Sequence, residues 1–197
     1  MIMENNILRQ RMYVFVERHL DGINKGIQAA HAVAELISGI LTFDNVPSVC
    51  REQFYQWQNV DKTMILLNGG VSRGGSKYLA TGIVEGDLTN IGDMEQIVYD
   101  LKQHNIKFST FCEPDLNDAL TAIALLVDER VWDREKYPDF VPDRIDAYYI
   151  SVDWENAKTE LIERPLLENE KYKTWVESIG GFDNVWLREF LSSKRLA

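Results

Sequence analysis

Cysteine is nearly absent from this sequence, with Cys50 and Cys112 the only two among 197 residues. Two thiols supply neither a disulfide framework nor the ligand set of a thiolate metal site, so a reducing, cytoplasmic setting is the expectation. Histidine is almost as scarce. His19, His31 and His104 are scattered without metal-ligand spacing, and neither a metal nor another cofactor is expected. No apolar run reaches the length needed to span a bilayer, and the first eleven residues are polar where a secretory signal carries an apolar stretch. Association with a membrane is therefore not expected.

Positive charge is the other shortage. Lys and Arg number 21 against 31 Asp and Glu, a formal net charge of −10. Phosphate contacts draw on Lys and Arg, so this balance excludes loose electrostatic attachment to nucleic acid and leaves only local basic clusters to do such work. The candidates are Arg9, Arg11, Arg18 and Lys25 around the first predicted strand, and Arg73 with Lys77 in a glycine-rich loop.

What is present is the composition of an ordinary globular protein, 45% hydrophobic and 26% charged. The length suits one α/β domain over residues 1–128 followed by an extension over 129–197 packed on it. Residues 12–16, Met-Tyr-Val-Phe-Val, form an apolar run without alternation, which predicts a central strand covered on both faces. The turn signal Asp21-Gly22 leads into a helix predicted over 25–41. Further strands are predicted over 62–67, 78–84, 107–112 and 121–127, with a helix over 93–104 whose apolar residues keep helical spacing. Beyond residue 128 come an aromatic, loop-rich stretch, an outlying strand over 147–152 and two short helices over 172–179 and 184–191. The four tryptophans Trp132, Trp154, Trp175 and Trp186 read as the core of that extension. Gly70 and Gly75 have the separation of a phosphate loop, but Ser76-Lys77 stands where Lys-Ser/Thr is required, so a nucleoside triphosphatase is rejected.

His31 is the most informative single residue. It lies in Gln28-Ala29-Ala30-His31-Ala32, on the helix that follows the first strand, and the top edge of an α/β sheet is where ligands bind. Placing Ala30, Val33, Ala34, Ile37, Ile40 and Leu41 on one apolar arc puts Gln28, His31 and Glu35 on its flank, open to solvent. Lys25 stands near the helix N-terminus, where peptide dipoles already favour an anion, and the two together suit a phosphate or carboxylate. Glu113-Pro114-Asp115 forms an acidic turn ahead of the strand that opens at Thr121.

In this order of elements, and in the segments 13–16, Lys25, Gln28-Ala29-Ala30-His31-Ala32, Glu113-Pro114-Asp115 and Thr121-Ala122-Ile123, the chain resembles the type 2 peptidyl-tRNA hydrolase family over about residues 11–127. The resemblance implies a compact three-layer α/β fold with a mixed four-stranded sheet, and hydrolysis of the ester joining a peptide to the 3′ end of tRNA. It implies a site of His31 and Gln28 on the first helix, Lys25 before them, and Asp115 with Thr121 across the sheet edge: His31, Lys25, Asp115 and Thr121 are the catalytic candidates, and Gln28, joined by Glu113 of the acidic turn and Arg18 of the basic cluster, the substrate-binding ones. The chain departs from the family in a lysine-rich turn reduced to Asn24-Lys25 and in the lack of an Asp-Ala-Gly turn near residue 115.

The chemistry asks for an oriented water, a proton acceptor and donors for the developing oxyanion. His31, or a carboxylate acting through water, fits the acceptor, Lys25 with the helix terminus the donor, and Thr121 the positioning group. A second reading keeps the scaffold and drops the reaction: a module binding a small nucleotide or an RNA end, favoured by the acidic balance and by a glycine-rich insertion able to close over a small ligand. The partners implied are thus tRNA or a small nucleotide, with a homodimer as a further expectation.

Overall fold

A computed structural model of the chain describes residues 7–42, 47–73, 91–141 and 169–197. The chain divides into two compact units, Met1–Glu129 together with Phe190–Ala197, and Arg130–Glu189. The predicted strands over 78–84 and 147–152, together with Lys77 and Trp154, lie outside the described residues.

The first unit is an α/β fold on a mixed sheet of four strands in the order β2-β1-β4-β3: β1 (Gln10–Val16), β2 (Met64–Asn68), β3 (Ser109–Glu113) and β4 (Ala119–Asp128). β1 runs parallel to β2 and antiparallel to β4, which is also antiparallel to β3. The unbroken apolar run at 12–16 becomes an interior strand with both faces buried, as its lack of alternation requires. Met12, Val14 and Val16 point to one face, where they meet Ala122 and Ala124 of β4 beneath helix α1 (Gly22–Thr42). Phe15 points to the other face, toward the C-terminal Phe190 and helix α3 (Asp93–Gln103). Each fully buried side chain of this size contributes on the order of 1.5–3 kcal/mol. Helix α2 (Ser48–Gln56) and a wide π turn (Trp57–Asp61) fill the crossover from α1 to β2.

α1 begins earlier than its apolar periodicity suggests because the Asp21 carboxylate accepts the Asn24 N–H at 2.9 Å and caps the first turn. Its sheet-facing stripe is also displaced from the expected arc. Gln28, Ala29, Ala32, Val33 and Leu36 are buried, whereas Ala30 and Ala34 are exposed. The physical reason is the sheet surface. Ala29 and Ala32 lie over Ala122 and Ala124, so methyl meets methyl and the helix approaches closely enough for Ser109 Oγ to donate to the Ala32 carbonyl at 2.5 Å. Gln28 is therefore the N-terminal member of the buried stripe and not a flank residue.

The C-terminal residues complete the sheet edge. Leu196 bridges Leu67 antiparallel, the Asn68 N–H donates to Arg195 O at 2.9 Å and the Ala197 N–H to Leu66 O at 3.1 Å. These bonds satisfy backbone groups that edge strand β2 would otherwise leave open.

The second unit includes helix α5 (Glu170–Ser178), most of helix α6 (Phe182–Ser192) and all but the first residue of helix α4 (Glu129–Trp132). Trp175 stacks on Tyr172 and donates its indole N–H to Pro138 O. Arg188, 2% exposed, donates to Arg130 O at 2.5 Å, Tyr137 O at 2.7 Å and Asp139 Oδ1 at 2.6 Å. Burial alone would raise the Asp139 carboxyl, but the hydrogen bond and charge of Arg188, joined by Arg134, outweigh it and hold the group below the usual carboxylate range. A group lowered in the folded state stabilises fully above its unfolded value, near pH 4, and that stabilisation fades as pH falls through the lower folded value. Arg188→Met is expected to cost about 2–4 kcal/mol of unfolding free energy at neutral pH, through lost charge-assisted bonds to buried carbonyls. Denaturant titrations repeated below pH 4 should show a smaller acid-side loss in the variant than in the wild type, because only Arg134 then remains to hold the Asp139 carboxylate.

Candidate functional site

Because β4 opposes its neighbours, strands β1, β2 and β3 all end at the same edge of the sheet, where β4 starts. Open α/β folds bind ligands at such an edge. The close approach of α1 brings the first turns of that helix over it.

The register of β3 on β4 slips there. Phe111 pairs with Ala122 but Cys112 pairs with Leu120, leaving Thr121 as an extra residue, a β-bulge. A bulge turns one side chain out of the regular alternation. Without it, Thr121 would share the far face with Ile123. With it, the Thr121 hydroxyl donates to Gln28 Oε1 at 2.7 Å and also lies 3.3 Å from Phe111 O. The other end of the amide donates from Gln28 Nε2 to Glu113 Oε2 at 2.5 Å. A carboxylate only accepts, so Glu113 fixes which way the Gln28 amide faces and leaves its oxygen for the threonine. Gln28 is 5% exposed and Thr121 1%, so both polar ends are satisfied inside the protein.

Three of the residues singled out in the sequence, Gln28, Glu113 and Thr121, thus meet in one hydrogen-bonded chain. The others take positions around it. Lys25 lies one helical turn toward the N-terminus from Gln28, half-buried. His31 lies one turn the other way, exposed, its ring stacked on Phe111 with centroids 4.4 Å apart and planes 13° from parallel. Asp115 is exposed on a short 3-10 turn (Pro114–Leu116) capped by the Glu113 side chain. Arg18 is exposed and its N–H donates to Gly70 O at 2.8 Å.

The basic cluster expected around the first strand does not hold together. Arg9 and Arg11 sit at the start of β1, and Arg9 is paired with Glu129 at 2.8 Å. Arg18 follows its end, at the edge where Lys25 stands. A strand rises about 3.3 Å per residue, so the seven residues of β1 keep the two groups roughly 20 Å apart.

Two further carboxylates at this edge, Glu17 and Glu95, are buried where no sequence pattern marks them. Glu17, buried, accepts the His19 backbone N–H at 2.6 Å and lies 2.9 Å from His19 Nδ1, while its own N–H pairs with Thr121 O. With the carboxylate 2.9 Å from it, Nδ1 is the ring nitrogen that donates. The sequence carries no signal for this, because both faces of β1 are covered and neither stands out as the interior. Glu95, also buried, accepts from Ser72 Oγ at 2.6 Å and from the Arg73 N–H at 3.1 Å, while Asp93 Oδ2 accepts the Val71 N–H at 3.0 Å. These two carboxylates pin residues 71–73, from which the glycine-rich stretch departs.

Burial first, then the nearby Asp118 and Glu95 charges, push the Cys112 thiol up, which keeps it protonated near neutral pH and unsuited to be a nucleophile. Among the described residues no group of three or more His, Cys, Asp and Glu is arranged to hold a metal ion, and no helix is long and apolar enough to cross a membrane. No family model matches the chain, and no curated protein matches it.

Gln28→Leu and Thr121→Val are each expected to lower stability by about 1–3 kcal/mol, since either leaves a buried polar partner stranded. The double variant should lose less than the sum by about 0.5–1.5 kcal/mol, read from urea titrations of all four proteins. Strict additivity would mean that the two side chains are not bonded in solution. In a Cys50→Ala background, iodoacetamide should alkylate Cys112 with a rate that rises at higher pH than that of a free cysteine.

Proposed function

We propose that the chain is a hydrolase of the peptidyl-tRNA type, cleaving the ester between a peptide and the terminal ribose of tRNA at the edge where Gln28, Glu113 and Thr121 meet. The observation that carries this reading is their hydrogen-bonded chain: a helix and two strand ends, distant in sequence, converge through residues that the family resemblance nominates. The mixed four-stranded sheet is the architecture that the resemblance implies.

In this reading each residue acts through chemistry it has available. Gln28 Nε2 has a second N–H beyond the one given to Glu113, and this donor, with the Lys25 ammonium, stabilises the oxyanion formed as water attacks the ester carbonyl. The acidic turn of Glu113 and Asp115 takes the proton from that water. Glu113 is favoured because the amide of Gln28 holds it in place. Thr121 acts through Gln28, locking the amide, and is a positioning residue. The proton taken from that water passes to the leaving ribose oxygen as the ester C–O bond breaks and the peptide carboxylate departs. His31, stacked on Phe111, offers a flat ring beside the cluster against which a terminal base can lie. Lys25 and Arg18 supply local positive charge for the tRNA end on a chain that is acidic overall.

Incubation with a peptidyl-tRNA and separation of free tRNA from ester tests this directly. Turnover by the wild type is expected, falling about 10²–10³-fold in Lys25→Ala and in Glu113→Gln, the loss typical of one oxyanion donor or one acid-base group. His31→Ala should raise KM more than it lowers kcat. A wild type that binds tRNA or a nucleotide without turnover would overturn hydrolysis in favour of a binding module on the same edge.

A further inference from the structure

On the face of the sheet opposite α1, a hollow of about 330 Å³ opens between the end of β2, helix α3 and the C-terminal segment. Its walls carry opposite charges. Asp93, Gln96 and Asp100 line it from α3, and Lys194 with Arg195 line it from the C-terminal side. Lys194 and Arg195 form no ion pair among the described residues, although both share the hollow with two carboxylates.

The carboxylates are held and only half used. Asp93 Oδ2 accepts the Val71 N–H and Asp100 Oδ1 accepts Gln96 Nε2 at 2.7 Å, which leaves the second oxygen of each without a hydrogen-bond donor among the described residues. The Lys194 ammonium rests 4.2 Å from the centre of the Phe190 ring, and burial pushes its amine down even against the opposing pull of Asp100 and Asp93. A cation in that position gains from an anion that reaches it. The floor is rigid and close. Gly70 adopts φ +79°, and a Cβ there would overlap the Asp93 side chain, so the chain at the end of β2 is pressed against α3.

We propose that this hollow is a binding site for a small zwitterion of the free amino-acid class, its carboxylate received by Lys194 and Arg195 and its ammonium by Asp93 and Asp100. The charge pattern selects against the alternatives. Two carboxylates repel a phosphate or nucleotide, and two cations repel a metal ion or a polyamine. A volume at the small end of known ligand sites suits a compact molecule. The position, at the end of a parallel strand pair, is where α/β sheets hold ligands. The site lies apart from the Gln28 cluster and does not depend on the chain being a hydrolase.

The test is a titration of the full, isotope-labelled chain with a panel of free L-amino acids at matched ionic strength, followed by NMR. Saturable shifts confined to residues 68–70, 93–100 and 193–195 are expected for at least one member at millimolar concentration, weakened about tenfold or more by Asp100→Asn and by Lys194→Met. Both positions border open space, and an unchanged circular dichroism spectrum verifies that the variants fold. The proposal is overturned if no amino acid saturates, if acetate, methylammonium or potassium chloride alone produces the same shifts, or if both variants bind as the wild type does.

Discussion

The close seating of α1 on the sheet is the constraint on which the rest of the first unit depends. Alanine faces alanine across that contact, Ala29 and Ala32 over Ala122 and Ala124, and only side chains this small let a helix backbone come near enough for Ser109 to bond a helix carbonyl. Larger residues would lift the helix, and Gln28 would then no longer reach Glu113 and Thr121. The polar chain at the sheet edge is thus a consequence of apolar packing one turn away. It also works in reverse, because the amide of Gln28 bonds to both β3 and β4 and fixes the register of the helix against them.

The second unit is organised on a different principle. A buried guanidinium, Arg188, gathers carbonyls from Arg130 and Tyr137 and the carboxylate of Asp139, replacing by directed bonds what a larger apolar core supplies in the first unit. Its aromatic residues Phe140, Tyr172 and Trp175 pack ring on ring beside it.

Much of the fold was legible from periodicity alone. The run at 12–16 announced an interior strand, and helices at 93–103, 170–178 and 182–192 appear within a few residues of their expected positions. The face of α1 was misjudged, since counting apolar residues on a wheel assumes that burial follows hydrophobicity, and here a glutamine is buried because a bulged threonine and a carboxylate receive it. The bulge itself left no mark in the sequence. Thr121 looks like any good strand residue until the pairing of β3 with β4 shows it to be surplus. Glu17 and Glu95 are hidden for a related reason, as a carboxylate that folds inward looks the same in the sequence as one that faces water.

Sequence by itself determined the α/β class, the interior strand, the capped helix carrying Gln28-Ala29-Ala30-His31-Ala32, and the shortage of thiols and cations that narrows the chemistry. These follow from local properties: residue volume, hydrophobic spacing and turn preference act over a few neighbours. Tertiary structure alone decided that Gln28 meets Glu113 and Thr121, that His31 lies flat on Phe111, that Glu17 orients His19, and that the last residues of the chain pair with β2 and help enclose a hollow with charge of both signs. Each of these joins segments far apart in the chain, through hydrogen bonds and ring contacts whose formation depends on distances of a fraction of an ångström. Residue order does not encode such distances until the helix and strands have packed.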